Sequence, residues 1–221
     1  MKAIQTEAGF CEYPKIETLF ERDKMTFVVD PAKLKAPVLG TIQEWDVTEK
    51  IDGTNIRVML SESGEVSFGG RSNAAQIPGD LVQYLIRTFQ QDQLKATLWI
   101  DEPQEVILFG EGYGPGIQKG GGLYRADKAF ILFDVLVAGR WWLDQAAVEG
   151  IAAKMGIDLV PYLGRMNLSQ IVERVRTAQP SKLGTAMAEG VVARPIETLF
   201  DKRQKRIIIK LKTKDFVAGK R

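Results

Sequence analysis

Seven stretches of the chain carry the apolar runs and residue-by-residue alternation of β-strands: TIQEWDVTEK, NIRVML, EVSFGG, EVILFGEG, KAFILFDVLV, EGVVARP and RIIIKLKTK. Between the second and third, SESGE has the composition of a hairpin turn. A helical period predicts three helices. The first opens near Pro78, Gly79 and Asp80 and sets Leu81, Leu85 and Phe89 on one face; the second runs from about Asp144 to a stop at Gly156. The third, NLSQIVERVRTAQP, offers Asn167 and Ser169 as caps and closes at Pro180. No Pro- or Ser-rich linker interrupts this pattern. The expectation is one α+β domain over residues 1–221, dominated by antiparallel sheet and flanked by helices. The pentapeptide IETLF occurs at 16–20 and again at 196–200, which reads as coincidence ahead of two similar sheet-edge segments.

Composition narrows the chemistry. The 221 residues are 45% apolar, enough to bury a substantial core. No run of 18 apolar residues is present and MKAIQTEAGFCEYPK lacks the apolar centre of a signal peptide, so neither a membrane span nor secretion is expected. The single cysteine, Cys11, suits a reducing cytosol and reads as a small side chain near the start of the chain. Histidine is absent, which removes serine–histidine and cysteine–histidine hydrolysis and most zinc sites. Chemistry here must run on Lys, Arg, Asp and Glu, a set suited to phosphates and hard metal ions. The net charge of +2 hides an asymmetry: residues 202–221 hold nine Lys or Arg against Asp215, a net of +8 that leaves −6 for the rest. That basic end is the candidate for meeting a polyanion, and a solvated tail is the plain alternative.

Within TEKIDGTNIRV, Lys50 occupies a constrained position at the mouth of a strand. An amine attacks only when neutral, and at an ordinary pKa near 10.4 only about one lysine in a few thousand is neutral at pH 7. A nucleophilic Lys50 therefore predicts other cations, or desolvation, around it. The last strand offers them: alternation puts Ile207, Ile209 and Leu211 on one face and Lys210 and Lys212 on the other, roughly 7 Å apart. Two ammonium groups on one face suit a phosphate, although an amphipathic edge strand with solvated lysines explains the pattern equally. Glu111, which follows EVILF and opens the glycine-rich loop GEGYGPGIQKGGG, and Glu189, opening EGVVARP, stand where strands end, positions suited to a metal or a ribose hydroxyl. The glycine-rich loop lacks Walker spacing. Arg71 in FGGRS and Phe133 in ILFDV are ordinary when taken alone.

Taken in order, EKIDGTNIRV, FGGRS, ILFGEGYGPGIQKGG, FILFDV, EGVVARP and IIIKLK resemble the signature of the covalent nucleotidyltransferases, which comprise ATP-dependent DNA and RNA ligases and mRNA capping enzymes. EKIDGTN, FGEGYG and the IKLK ending are most similar to the RNA ligase 2 branch, and the resemblance spans about residues 48–216. It implies a nucleotidyltransferase (adenylation) domain in which Lys50 attacks the α-phosphorus of ATP, releases pyrophosphate and carries AMP. Glu111 would bind the ribose and Phe133 stack on adenine, while Glu189 serves the metal and phosphate centre and Lys210 and Lys212 contact the α-phosphate. Glu49, Thr54, Asn55 and Arg71 match nucleotide-site positions, Arg57 more loosely; Glu111 and Glu189 are the candidate metal residues for Mg²⁺, with Mn²⁺ as the substitute.

The implied partners are nucleic acid, with RNA ends or a nicked duplex favoured, and no membrane; a helper protein for strand capture is a further candidate, and the oligomeric state is open. With the sequence ending nine residues after Lys212, no OB-fold or other appended domain is expected. A cytoplasmic location follows, or a host's cytoplasm for a viral source. The leading expectation is an ATP-dependent RNA ligase joining 3′-hydroxyl and 5′-phosphate ends. A minimal DNA ligase is the nearest alternative, since Asp52 is the form shared with DNA ligases and capping enzymes. A capping enzyme ranks below it, and a non-catalytic domain that only binds nucleic-acid ends is the alternative of another class.

Overall fold

The computed structural model describes residues 11–217. The chain forms two compact units, Pro14–Ile51 with Val160–Arg221, and Met1–Tyr13 with Asp52–Leu159. The chain passes from one to the other between Ile51 and Asp52, inside the EKIDG stretch. Both are α+β units built on largely antiparallel sheet, as the alternation predicts.

The first unit carries a five-stranded sheet in the order Glu17–Thr18, Ile209–Lys212, Gly190–Pro195, Trp45–Lys50, Tyr162–Met166, with only the first pair parallel. One face buries Val47, Val191, Ala193, Ile209 and Leu211 together with Ile171 and Val175 of the helix Leu168–Arg176. That helix starts where its sequence says. Asn167, not Ser169, caps it, accepting from the Gln170 N–H at 3.0 Å while Gln170 accepts from the Asn167 N–H at 2.9 Å, a reciprocal box. A two-stranded sheet, Phe20–Arg22 with Val29–Leu34, completes the unit. The two IETLF copies differ in environment: the first runs along the sheet edge and buries Leu19 and Phe20, whereas the second leaves Leu199 and Phe200 exposed.

The second unit holds a six-stranded sheet. Val66–Gly69, Thr54–Leu60, Val106–Tyr113, Ala129–Val137 and Asp158–Leu159 lie side by side, and Trp141–Trp142 pairs with Ala129–Val137. SESGE makes the expected hairpin, with Ser61 N–H donating to Glu65 O at 2.9 Å and Gly64 at φ +86°. Three helices, Gly79–Thr88, Gln91–Leu98 and Gln145–Met155, cover one face, where Ile56, Val58, Leu60, Leu81, Leu85, Leu94 and Val148 are buried. Asp144 caps the last of these and Gly156, at φ +64°, ends it. The helix Gln91–Leu98 has no side-chain cap and follows the previous one within three residues, so the sequence pattern hides it. The opposite face packs Met59, Ile107, Phe109 and Leu136 against Tyr13, Phe133 and Trp142. No helix among the described residues is long and apolar enough to cross a membrane.

Candidate active site

Register brings the lysines of the first unit together. Gly190 pairs with Lys50 on one side and with Lys212 on the other, so the three residues share a rung, and Lys210 lies two residues back on the same face. Glu189 precedes that rung. Lys50 Nζ donates to Glu189 Oε2 at 2.5 Å and Lys212 Nζ donates to the other oxygen, Oε1. The group is largely shielded, with side-chain exposures of 21% for Lys50, 20% for Lys212 and 13% for Glu189. Burial pushes the Glu189 carboxyl up, but the charges and hydrogen bonds of Lys50 and Lys212 together outweigh it and leave its pKa below the ordinary value. Two ammoniums and one carboxylate leave a formal +1 at the rung, to which Lys210 adds another. Glycine at 190 is required by the close approach, because a Cβ there would meet the Leu211 carbonyl oxygen and Lys212 Cα.

The strand end bearing Lys212 is fixed from below by Asp215, in a short 3₁₀ turn and fully buried. Its carboxylate accepts from the Lys212 backbone N–H at 2.9 Å and from Arg22 at 2.7 Å. Asp215→Ala strips both donors of their acceptor and is expected to cost about 2–4 kcal/mol, read as a lower denaturation midpoint. Asp215→Asn, which keeps an acceptor oxygen, should cost less. Glu49 faces the other way from Lys50. Its buried carboxylate accepts from Ser181 Oγ and from the Lys182 N–H at 2.8 Å, so it ties down the segment leading into Glu189.

In the second unit Asn55 and Glu111 are register partners on one sheet face, with Arg57 two residues along. Glu111 lies inside the strand Val106–Tyr113 rather than opening the loop, and the glycine-rich loop begins only at Gly114. Gly110 and Gly112 flank it on the helical face, where Phe130 and Leu81 leave no room for a Cβ. Gly53 lets the backbone lie directly against Glu111 and Gly112. Asn55 Oδ1 is shielded from solvent and accepts no hydrogen bond among the described residues. Thr54 points to the opposite, helical face, next to Gly112.

Phe133 sits at a register irregularity and packs its ring against Tyr13, centroids 5.0 Å apart. Arg71 is exposed, but its loop is held by buried Arg57, which donates to Gly70 O at 2.7 Å and Asn73 Oδ1 at 3.1 Å. Among the described residues no group of three or more acidic or cysteine side chains is placed to hold a metal ion.

The RNA ligase family model matches residues 43–212. The chain belongs to the RNA ligase family. Solved structures share the fold of this family member. A lysine-to-alanine variant of Naegleria gruberi RNA ligase with ATP and Mn matches at TM-score 0.65 and 17% identity, over 92% of this chain and 62% of that one. A lysine-to-methionine variant with AMP and Mn matches at 0.63 and 18%, over 92% and 62%. The same ligase with PPi matches at 0.62 and 18%, over 93% and 63%. The chain thus spans less than two thirds of the length of those ligase chains. Comparison with curated protein sequences finds no match.

The RNA ligase candidates therefore fall into two local groups: Lys50, Glu189, Lys210 and Lys212 around one rung, and Asn55 with Glu111 on one sheet face. Glu49 and Thr54 point away from these groups. The supporting residues Asp215, Ser181 and Arg22 escape sequence reasoning, because Arg22 and Asp215 lie 193 residues apart and Ser181 and Glu49 132. Gln118 and Tyr124 do so too. Gln118 donates to Gly53 O at 2.9 Å, and Tyr124 Oη accepts from the Asp52 N–H at 3.4 Å, folding the glycine-rich loop onto the Asp52-Gly53 step.

Proposed function

We propose that the protein is an ATP-dependent RNA ligase that joins 3′-hydroxyl to 5′-phosphate ends through a lysyl-AMP on Lys50. The observation that carries this reading is the shared rung of Lys50, Gly190 and Lys212, with both lysines on the Glu189 carboxylate, inside the segment matched to the family. Lys50 Nζ loses a proton and attacks the α-phosphorus; a P–N bond forms and the bond to pyrophosphate breaks. Lys210 and Lys212 meet the charge that develops on the non-bridging oxygens. For the lone pair to be available, Lys50 must leave Glu189, and an arriving triphosphate competes for the same cations. The AMP then passes to a 5′-phosphate, and attack by the 3′-hydroxyl seals the strand and expels AMP.

On this reading Asn55, Arg71, Glu111 and Phe133 bind the nucleotide, Asn55 with a shielded oxygen that has no acceptor role yet filled. Glu49, which ties down the segment leading into Glu189, and Thr54, which packs beside Gly112, support their neighbours Lys50 and Asn55. The two units act as one nucleotidyltransferase domain. Mg²⁺ is commonly held by one or two carboxylates plus substrate phosphates and water, and Glu189 and Glu111, each within its own unit, are the candidate carboxylates. When bound it neutralises triphosphate charge; Mn²⁺ is the natural substitute.

The test offers four nicked duplexes that differ only in the sugar of the strand bearing the 3′-hydroxyl or the 5′-phosphate, with ATP and Mg²⁺. Sealing is expected to require ribose on the 3′-hydroxyl side. Equal sealing of all-deoxy nicks would move the assignment to a DNA ligase.

A further inference from the structure

Residues 199–207 form a small, ordered hairpin. Ile207 N–H donates to Leu199 O and Asp201 N–H to Lys205 O, both at 2.8 Å, and Phe200 and Arg206 form an antiparallel bridge. The tip is set by Asp201, whose Oδ1 accepts from the backbone N–H groups of Arg203 at 2.8 Å and Lys205 at 2.9 Å. Gln204 takes the left-handed conformation, φ +58°, that the turn requires. The one acidic side chain of the tip is thereby spent on its own backbone. Lys202, Arg203 and Lys205 are exposed and make no salt bridge among the described residues.

Beside these cations Phe200 is 49% exposed and Leu199 40%. The exposure is a matter of place, since the same pentapeptide at 16–20 buries Leu19 and Phe20 completely or nearly so. Of the basic terminal stretch, residues 218–221 lie outside the described residues, Lys210 and Lys212 belong to the rung of the candidate site, and the hairpin carries Lys202, Arg203, Lys205 and Arg206.

We propose that this hairpin is a nucleic-acid contact: Lys202, Arg203 and Lys205 grip the phosphodiester backbone and Phe200 stacks on a base, an occupant that rests on the ligase reading above. Cations next to an exposed aromatic ring on a preset turn suit this ligand, because backbone charge and base faces are both presented without regard to sequence. A loop already folded by Asp201 loses little order on binding.

The test measures affinity for a 5′-phosphorylated, singly nicked RNA duplex by fluorescence anisotropy across a salt series, beside covalent labelling by α-labelled ATP. The triple variant Lys202→Gln, Arg203→Gln, Lys205→Gln is expected to weaken binding about tenfold near 0.1 M salt and to lower the slope of log affinity against log salt by about two to three. Phe200→Ala should weaken binding about fivefold or more with the slope unchanged. Labelling by ATP should match the parent in both. Unchanged affinity and slope in the triple variant overturn the contact, as does loss of binding to anionic phospholipid vesicles with RNA binding intact. Loss of RNA binding in the variants of a protein that never labels with ATP supports the hairpin and overturns the ligase reading alone.

Discussion

Alanine in place of Lys50 is expected to abolish covalent labelling by α-labelled ATP, a loss of at least about 10³-fold, because no other side chain supplies the attacking nitrogen. Lys50 sits at a strand end with its Nζ 2.5 Å from Glu189, so a purely structural role must also be separated out. Lys50→Arg does that. A guanidinium retains the positive charge for the ion pair but stays protonated throughout the accessible pH range, and so keeps the fold while supplying no nucleophile. Labelling should be at background in both variants, with the denaturation midpoint of Lys50→Arg close to that of the parent. Labelling of Lys50→Arg at more than a few per cent of the parent would show that the lysine is structural.

Glu189→Gln is expected to lower the rate of ATP labelling about 10²- to 10³-fold, the size seen when one preorganised electrostatic group is removed from a phosphoryl or acyl transfer site. The carboxylate holds both Lys50 and Lys212 on one rung, and without it two ammonium groups are left beside each other with no shared counter-charge. Stability should change as well, with a definite pH dependence. Although burial raises it, the Glu189 pKa is held below its ordinary value by Lys50 and Lys212. The pair thus adds stability that is fully present above the unfolded carboxyl's pKa and is lost as pH falls through the folded-state value. The gap in denaturation midpoint between parent and Glu189→Gln should therefore be widest near neutrality and close on acidification. A gap that stays constant from neutral to acid pH would mean that the pairing does not stabilise the folded chain.

Much of this architecture was legible in the pattern of side chains. Alternation in RIIIKLKTK places Lys210 and Lys212 on the face opposite Ile209 and Leu211, and the sheet has them so. Cap and stop residues at Asp144, Gly156 and Asn167 were equally plain, since those signals act within one turn. Partnership across the sheet was not legible. That Gly190 stands between Lys50 and Lys212 depends on the register of three strands, one of them more than 100 positions from the other two, and alternation carries no register. The same limit hid the anionic partner: the sequence suggested that cations surround Lys50, whereas a carboxylate lies between the two lysines. Tyr162–Met166 escaped notice because an edge strand with a bulge near Gly164 is mostly half-exposed and does not alternate cleanly. The hairpin at 199–207 read as part of a charged run, and only its backbone hydrogen bonds distinguish it from one.

The most direct measurement is to locate the adduct. The parent protein is incubated with ATP and Mg²⁺, denatured, digested and mapped by mass spectrometry, with the label checked for the stability to alkali and lability to acid of a P–N bond. AMP is predicted on the peptide containing Lys50 and on that residue alone. AMP on another residue, or no adduct in a protein that nonetheless seals RNA ends, would contradict the covalent mechanism.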